Sequence, residues 1–325
     1  MKAIQIEQTG GPEVLQLAEV AAPEPSDGQI LVDVLVAGVN YIDTYYREGI
    51  YDAEPPFTPG FEGVGRVRHD PQGEIAQGTM VAWNTAFGSY AEQVCVDRDK
   101  VVAVPNDFDL PTAASMLLQG ITAHYLTHGV YELGEGDSCV ITAGAGGVGL
   151  VATQLAAAAG ATVYTVVSSA EKEQLSYDAG ATRVLRYGPD LVEQVRDLTD
   201  GRGVDVVYDG VGKDTFAQSL DMVRERGVVC LFGAASGPVD PIDPQVLNQK
   251  GSIFLTRPSV AGWTSREGEF QMRAQAVVQA VVDGDLRFRV SNSYALEDAA
   301  QAHRDLQDRK TTGSIVLRVQ EDEYA

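Results

Sequence analysis

The segment "GAGGVG", Gly144 to Gly149, carries the most specific chemistry in the chain. It follows the apolar run "SCVITA" and opens the alanine-rich run "LVATQLAAAAG". Gly144, Gly146, Gly147 and Gly149, with Val148 between, permit a tight turn, close backbone approach to a pyrophosphate, and helix-on-sheet packing. The anion then meets the positive end of a helix and its free N–H groups. The pattern alone is weak; its place after a strand and before a helix favours a dinucleotide site over an ordinary turn. About twenty residues further on, an acid would take a ribose 2′-hydroxyl. Here the second strand ends "TVVSSAEK", with Ser168 and Ser169 in place of the acid and Lys172 just beyond. Hydroxyls and a cation suit a 2′-phosphate, which a carboxylate would repel. The expected cofactor is NADPH, although Lys172 taken singly reads as a solvated helix residue.

A second candidate is "NYIDTYYREG", which follows the strand-like run "ILVDVLVAGV". It brings Asn40, Asp43 and tyrosines 41, 45 and 46 to a strand end with no metal-grade residue among them. Of the four histidines, His124 and His128 have i, i+4 spacing on a helical segment and could mimic a ligand pair. Catalytic zinc needs three protein ligands, and no third is indicated. Cys95, Cys139 and Cys230 lie far apart in apolar segments without CxxC spacing. They read as buried, inert thiols.

The elements that position these residues fall into two styles. Residues 1–120 are β-rich, with "KAIQI", "GVGRV", "GTMVAW" and "SYAEQVCV" as short strands broken by Gly and Pro. From 121 to 260 strands and helices alternate: "TVYTVV", "AEKEQLSYDAG", "TRVLRY", "DLVEQVRDLTDG", "VDVVYDGVG", "TFAQSLDMVRERG" and "VVCLFG". That rhythm implies an α/β fold with a doubly wound parallel sheet. Residues 261–325 hold a helix over about 267–283, then "LEDAAQAHRDLQDR" and the strand "GSIVLRV". Too short to fold alone, they are expected to return to the N-terminal domain.

A formal charge of −22, with 46 acids against 24 bases, argues against nucleic-acid binding, which needs a basic surface. The acids are scattered apart from the short tail "EDEYA", so self-repulsion relieved by salt is expected. There is no apolar run of membrane-spanning length, and "MKAIQIEQTGG" lacks a signal core. A cytoplasmic location is the default expectation.

Across nearly its whole length the chain resembles the medium-chain dehydrogenase/reductase superfamily. Within it, the chain most resembles the zeta-crystallin-like NADPH:quinone oxidoreductases. The stretches that carry this are "GGPEVL" (10–15), "NYIDTYYREGIY" (40–51), "AASMLLQGITAHYL" (113–126), "VVYDGVGKDTF" (206–216) and "NQKGSIFLTRPS" (248–259). The resemblance implies a GroES-like β-rich catalytic domain, a Rossmann domain and a homodimer paired through the edge segment "GSIFLTR". Zinc-dependent alcohol dehydrogenases place a cysteine ligand near 39–41, where this chain has Val39-Asn40-Tyr41. Their Gly-His-Glu is Gly60-Phe61-Glu62 here. A metal-free hydride transfer is therefore expected, to an acceptor that needs little Lewis-acid help.

The resemblance places Asn40, Tyr45, Tyr51 and Thr122 at the acceptor and nicotinamide. An amide and phenols can hydrogen-bond a quinone oxygen, and aromatic faces suit a planar ring. Tyr41, Ile42 and Tyr125 are implied near the cofactor as well, while Asp43 and Thr44 are expected to fix the loop or contact the cofactor rather than do acid–base work. Gly147 and Val148 match the pyrophosphate turn, and Ser168, Ser169, Lys172 and Tyr187 the adenosine-phosphate pocket. Phe232, Gly233 and Ala234 sit at a strand's carboxyl end where nicotinamide contacts belong. Arg257, with Pro258 and Ser259, resembles a cofactor-facing segment. Gln119 stands where some relatives carry a pocket lysine. The expected partner is a small planar quinone. Competing expectations are a zinc-independent enone or alkenal reductase and a nucleotide-binding crystallin-like or regulatory protein.

Overall fold

The structure is a computed structural model in which residues 1–323 are described; Tyr324 and Ala325 of the acidic tail lie outside the described residues. The chain divides into two compact units, Met1–Leu118 with Glu267–Ala325, and Gln119–Arg266. The boundaries read at 120 and 260 thus fall at 118 and 266. The first boundary lies inside the helix Met116–Tyr125. Within the second unit Trp263 stacks flat on Tyr125, at 5.6 Å and 7°.

In the first unit the strand Gln29–Val39 is the axis of a seven-stranded sheet. It pairs antiparallel with Glu62–His69, Gln93–Asp97 and Ser314–Arg318. Its hydrophobic run suits a strand covered on both sides. The return segment is held by this pairing, in register Ile315↔Val39 to Arg318↔Val36. Beneath the sheet lie Ile4, Ile30, Val32, Trp83, Tyr90 and Leu317, all essentially inaccessible. Each aliphatic side chain so buried contributes ~1.5–3 kcal/mol. The helix Glu269–Val282 occupies most of the range read for it.

The second unit is a six-stranded sheet with every pairing parallel. Its strands lie in the order Arg183–Arg186, Thr162–Val167, Ser138–Ile141, Val204–Asp209, Val223–Leu231 and Phe254–Thr256. Numbered within the unit this is 3-2-1-4-5-6, the doubly wound order whose switch point lies beside its first strand. One element differs from the sequence reading. The helix over "TFAQSLDMVRERG" stops at Met222, and Val223 already begins the next strand. Arg196 donates to the carbonyls of Asp221 and Val223 at 2.7–3.2 Å, and Val223 pairs with Val204. A long-range cap and strand pairing end a helix that local propensity would continue.

Candidate active site

Asn40 ends the central strand in extended conformation (φ −129°, ψ 159°) and caps the helix Tyr41–Glu48. Its backbone N–H donates to Asp43 Oδ2 at 2.8 Å, one arm of a capping box. Gly49 stops the helix at φ 76°, a left-handed position glycine adopts at little cost. The side-chain amide is held separately: Nδ2 donates to Glu62 Oε2 at 2.7 Å. The other oxygen of Glu62 accepts the Leu118 N–H at 2.8 Å. Gly38 leaves room for this carboxylate, since a Cβ there would fall 2.8 Å from Glu62 Oε2. Burial pushes Glu62 up to about 8, against the pull of its hydrogen bonds to Leu118 and Asn40. Burial likewise lifts Asp43 to about 7, opposed by the Asn40 N–H and the Tyr90 hydroxyl.

The side chains of Asp43 and Thr44 are taken up by the helix start. Asp43 is fully buried, and Thr44 Oγ1 donates to the Tyr41 carbonyl at 2.7 Å. The Tyr41 hydroxyl is spent on the Leu306 carbonyl at 2.9 Å, while Ile42 is half-buried. Tyr45 and Tyr51 meet edge to face with ring centroids 5.4 Å apart. Tyr46 extends the cluster, touching Tyr51 at 5.4 Å, Phe61 at 5.0 Å and Phe87 at 5.4 Å. Tyr51 and Phe87 remain 37 % and 40 % exposed, so the cluster presents open aromatic faces. Phe61 packs within it, 5.0 Å from the Phe87 ring as well. The sequence reading placed Tyr46 at this strand end without giving it a role at the acceptor, and did not name Phe87. Adjacency to Tyr45 could have found the first; nothing local marks the second.

In the second unit the helix Gly147–Ala158 starts from Gly146, and its first turn directs free N–H groups outward. A Cβ at Gly149 would fall 2.3 Å from the Ala143 carbonyl, and one at Gly144 2.5 Å from Thr165 Cβ. Gly147 faces the Gln119 amide, with a Cβ there only 2.2 Å from Gln119 Oε1. Gln119 therefore lies against the turn. Thr122, one helical turn on and 6 % exposed, shares its face. Tyr125 is buried under Trp263.

The Tyr187 hydroxyl accepts the Ala143 N–H at 2.7 Å, tying the third strand's end to the glycine turn. Ser168 is exposed, Ser169 caps the helix Ala170–Asp178, and Lys172 stands half-buried in that helix's first turn. Gly233 packs on Gly210, where a Cβ would meet the Gly210 carbonyl oxygen at 2.3 Å. Arg257 donates to the Phe232 carbonyl at 2.8 Å, bracing the segment that leads to half-buried Ala234. Pro258 is buried, and the Ser259 side chain caps the helix Val260–Trp263.

His124 and His128 stack at 4.6 Å. Among the described residues no group of three or more His, Cys, Asp or Glu side chains converges as a metal site would require.

A glycine turn at the switch side of a 3-2-1-4-5-6 parallel sheet, with a separate β-rich unit, defines the two-domain medium-chain dehydrogenase/reductases. Family models agree: residues 26–106 match the alcohol dehydrogenase GroES-like domain and residues 147–282 the zinc-binding dehydrogenase domain. Within that class the chain belongs to the quinone oxidoreductase family. It is 40 % identical to a quinone oxidoreductase of Pseudomonas aeruginosa, over 97 % of this chain and 99 % of that protein. It is 37 % identical to a 2-haloacrylate reductase of a Burkholderia species, over 97 % and 98 %. A mycobacterial protein solved in complex with NADPH superimposes with a TM-score of 0.95 at 45 % identity, covering 98 % of this chain and all of that one.

Proposed function

We propose that this protein is an NADPH-dependent quinone reductase that passes hydride to a flat acceptor without a metal. The observation that carries this reading is the pairing of Asn40 with Glu62 and of Phe61 with the ring cluster. Both stand where zinc-dependent relatives hold their ligands. An amide bound to a carboxylate and a packed phenyl ring do not make a zinc donor set, so no step runs through zinc. The dinucleotide fits the turn, because glycine at 144 and 149 lets the backbone close tightly against Thr165 and the Ala143 carbonyl at the head of the helix Gly147–Ala158, the close approach a pyrophosphate needs.

Bound NADPH would supply the hydride. The chain's own residues do the rest. The N-terminus of the helix Gly147–Ala158 neutralises the pyrophosphate. Ser168, Ser169 and Lys172 receive the 2′-phosphate, and Arg257 holds the Phe232–Ala234 segment in place. Tyr45, Tyr46, Tyr51 and Phe87 form a wall for a planar ring, and Asn40 presents a fixed amide beside it. A quinone needs no general base, since its product gains aromaticity and takes a proton from solvent. Orientation by such a wall is worth up to roughly 7–11 kcal/mol.

A reading as enone reductase is favoured by the similarity to the 2-haloacrylate reductase. NADPH oxidation across a panel of quinones and enones, with product analysis, decides between them. Turnover of simple benzoquinones is expected; activity confined to enals and absent with every quinone would sink the lead. We also place the protein in the cytoplasm as a homodimer. No described helix is long and apolar enough to cross a membrane, and the edge strand Phe254–Thr256 leaves Phe254 62 % exposed. A monomer by sedimentation would rule out the dimer.

A further inference from the structure

Behind the aromatic wall lies a line of buried polar side chains that hydride transfer does not use. Arg47, Asp43, Tyr90 and His303 are each fully buried. Arg47 Nη1 lies 3.1 Å from His303 Nδ1. His303 Nε2 lies 3.2 Å from the Tyr90 hydroxyl, which donates to Asp43 Oδ2 at 2.8 Å. The same carboxylate oxygen takes the Asn40 N–H.

Elementary donor counting fixes every proton in this line. A guanidinium only donates, so Nδ1 must accept. The imidazole is then neutral with its proton on Nε2, and Nε2 donates to the Tyr90 oxygen. The single Tyr90 proton goes to Asp43. Donation thus runs one way, from Arg47 through His303 and Tyr90 to Asp43 Oδ2, which also accepts the Asn40 N–H. Asp43 Oδ1 is buried without a hydrogen-bond partner, so this carboxylate is held through Oδ2.

The line also joins separate segments. Arg47 and Asp43 belong to the helix Tyr41–Glu48, His303 to the helix Ala299–Gln307 of the C-terminal return, and Tyr90 to the segment after Phe87. Gln307 accepts from Arg47 at 3.0 Å and donates to Glu48 at 2.7 Å, while Tyr41 reaches Leu306.

We propose that Tyr90 and His303 are positioning residues for the acceptor. By anchoring the helix Tyr41–Glu48 from behind, they set the pose of Asn40, Tyr45 and Tyr46 that receives the quinone. The inference rests on the reading of that helix as the acceptor wall.

The test compares Tyr90→Phe, His303→Leu and His303→Gln, with Tyr45→Ala as the probe of the wall itself. For each variant, kcat and KM for a benzoquinone at saturating NADPH are measured, with NADPH affinity by fluorescence and the melting temperature. Tyr90→Phe and His303→Leu are expected to raise the quinone KM about tenfold, the scale set by small misplacements, with NADPH affinity unchanged. His303→Gln keeps an acceptor for Arg47 and a donor for Tyr90, and should restore KM. The proposal is overturned if the first two variants lower the melting temperature but leave the quinone KM of folded enzyme unaltered. It is equally overturned if His303→Gln is as impaired as His303→Leu. Should Tyr90→Phe fail to fold, the two His303 variants decide. An unchanged KM in Tyr45→Ala sinks the wall reading; a raised KM there alone sinks only the positioning role.

Discussion

Glu62 accepts two N–H groups, from Leu118 and from the Asn40 amide, and has no exposure to water. A carboxyl group has acceptor capacity on both oxygens whether ionised or protonated; a glutamine amide has a single acceptor oxygen and must point its NH2 at the other donor. Glu62→Gln should therefore cost about 1–3 kcal/mol of stability, the penalty for a buried donor left unsatisfied. Urea unfolding at constant pH measures it, and an unchanged midpoint would contradict the assignment. At the cofactor end, Lys172 is the cation read against a 2′-phosphate. Lys172→Ala should raise the KM for NADPH on the order of tenfold to a hundredfold, the range for a charged hydrogen bond, and leave that for NADH alone. Equal effects on both cofactors would show that the lysine does not read the phosphate.

Helices carry the next scale of behaviour. In the helix Ala299–Gln307, burial and then the charge of Arg47 hold His303 down to about 3, so it stays neutral in the fold. The unfolded chain protonates this histidine near 6.5. Between those values the unfolded state binds a proton that the folded state refuses. The contribution of His303 is therefore complete above about 6.5 and drains as pH falls, by up to ~1.4 kcal/mol per pH unit. Asp43 and Glu62, raised to about 7 and 8, act in the opposite sense and lose their contribution as pH rises through those values. The clean observable is a difference. The stability of wild type relative to His303→Gln should decline from pH 6.5 to 4.5, as read by urea unfolding. A constant difference would mean that the histidine titrates normally.

Over the whole molecule the formal charge of −22 sets the colloidal behaviour. Exposed like charges repel over about 10 Å at 0.1 M salt and about 3 Å at 1 M. The urea midpoint should accordingly rise from low salt to molar KCl, and equal midpoints would dispose of the charge argument. The strand–helix alternation and "GAGGVG" were legible in the sequence because both are local: apolar periodicity and glycine spacing suffice. The buried line of Arg47, His303, Tyr90 and Asp43 was not legible. Tyr90 lies 47 positions from Asp43 and 213 from His303, and no local pattern marks such partners. Phe87 escaped notice for the same reason.

The sequence by itself determined the two architectural styles, the dinucleotide turn, and the presence of Asn40 and Phe61 where zinc-dependent relatives hold ligands. The first two follow from residue type and short-range spacing; the third follows from the resemblance to the medium-chain dehydrogenases. Only the tertiary structure decided what each polar group does. Asp43, which as a residue type could serve a ligand, closes a helix cap and ends a line of buried hydrogen bonds. Gln119 lies against Gly147, and the helix begun at Phe216 stops at Met222 under a distant arginine. The physical reason is that a buried polar atom must find its partner wherever the fold supplies one, and sequence distance does not constrain that choice.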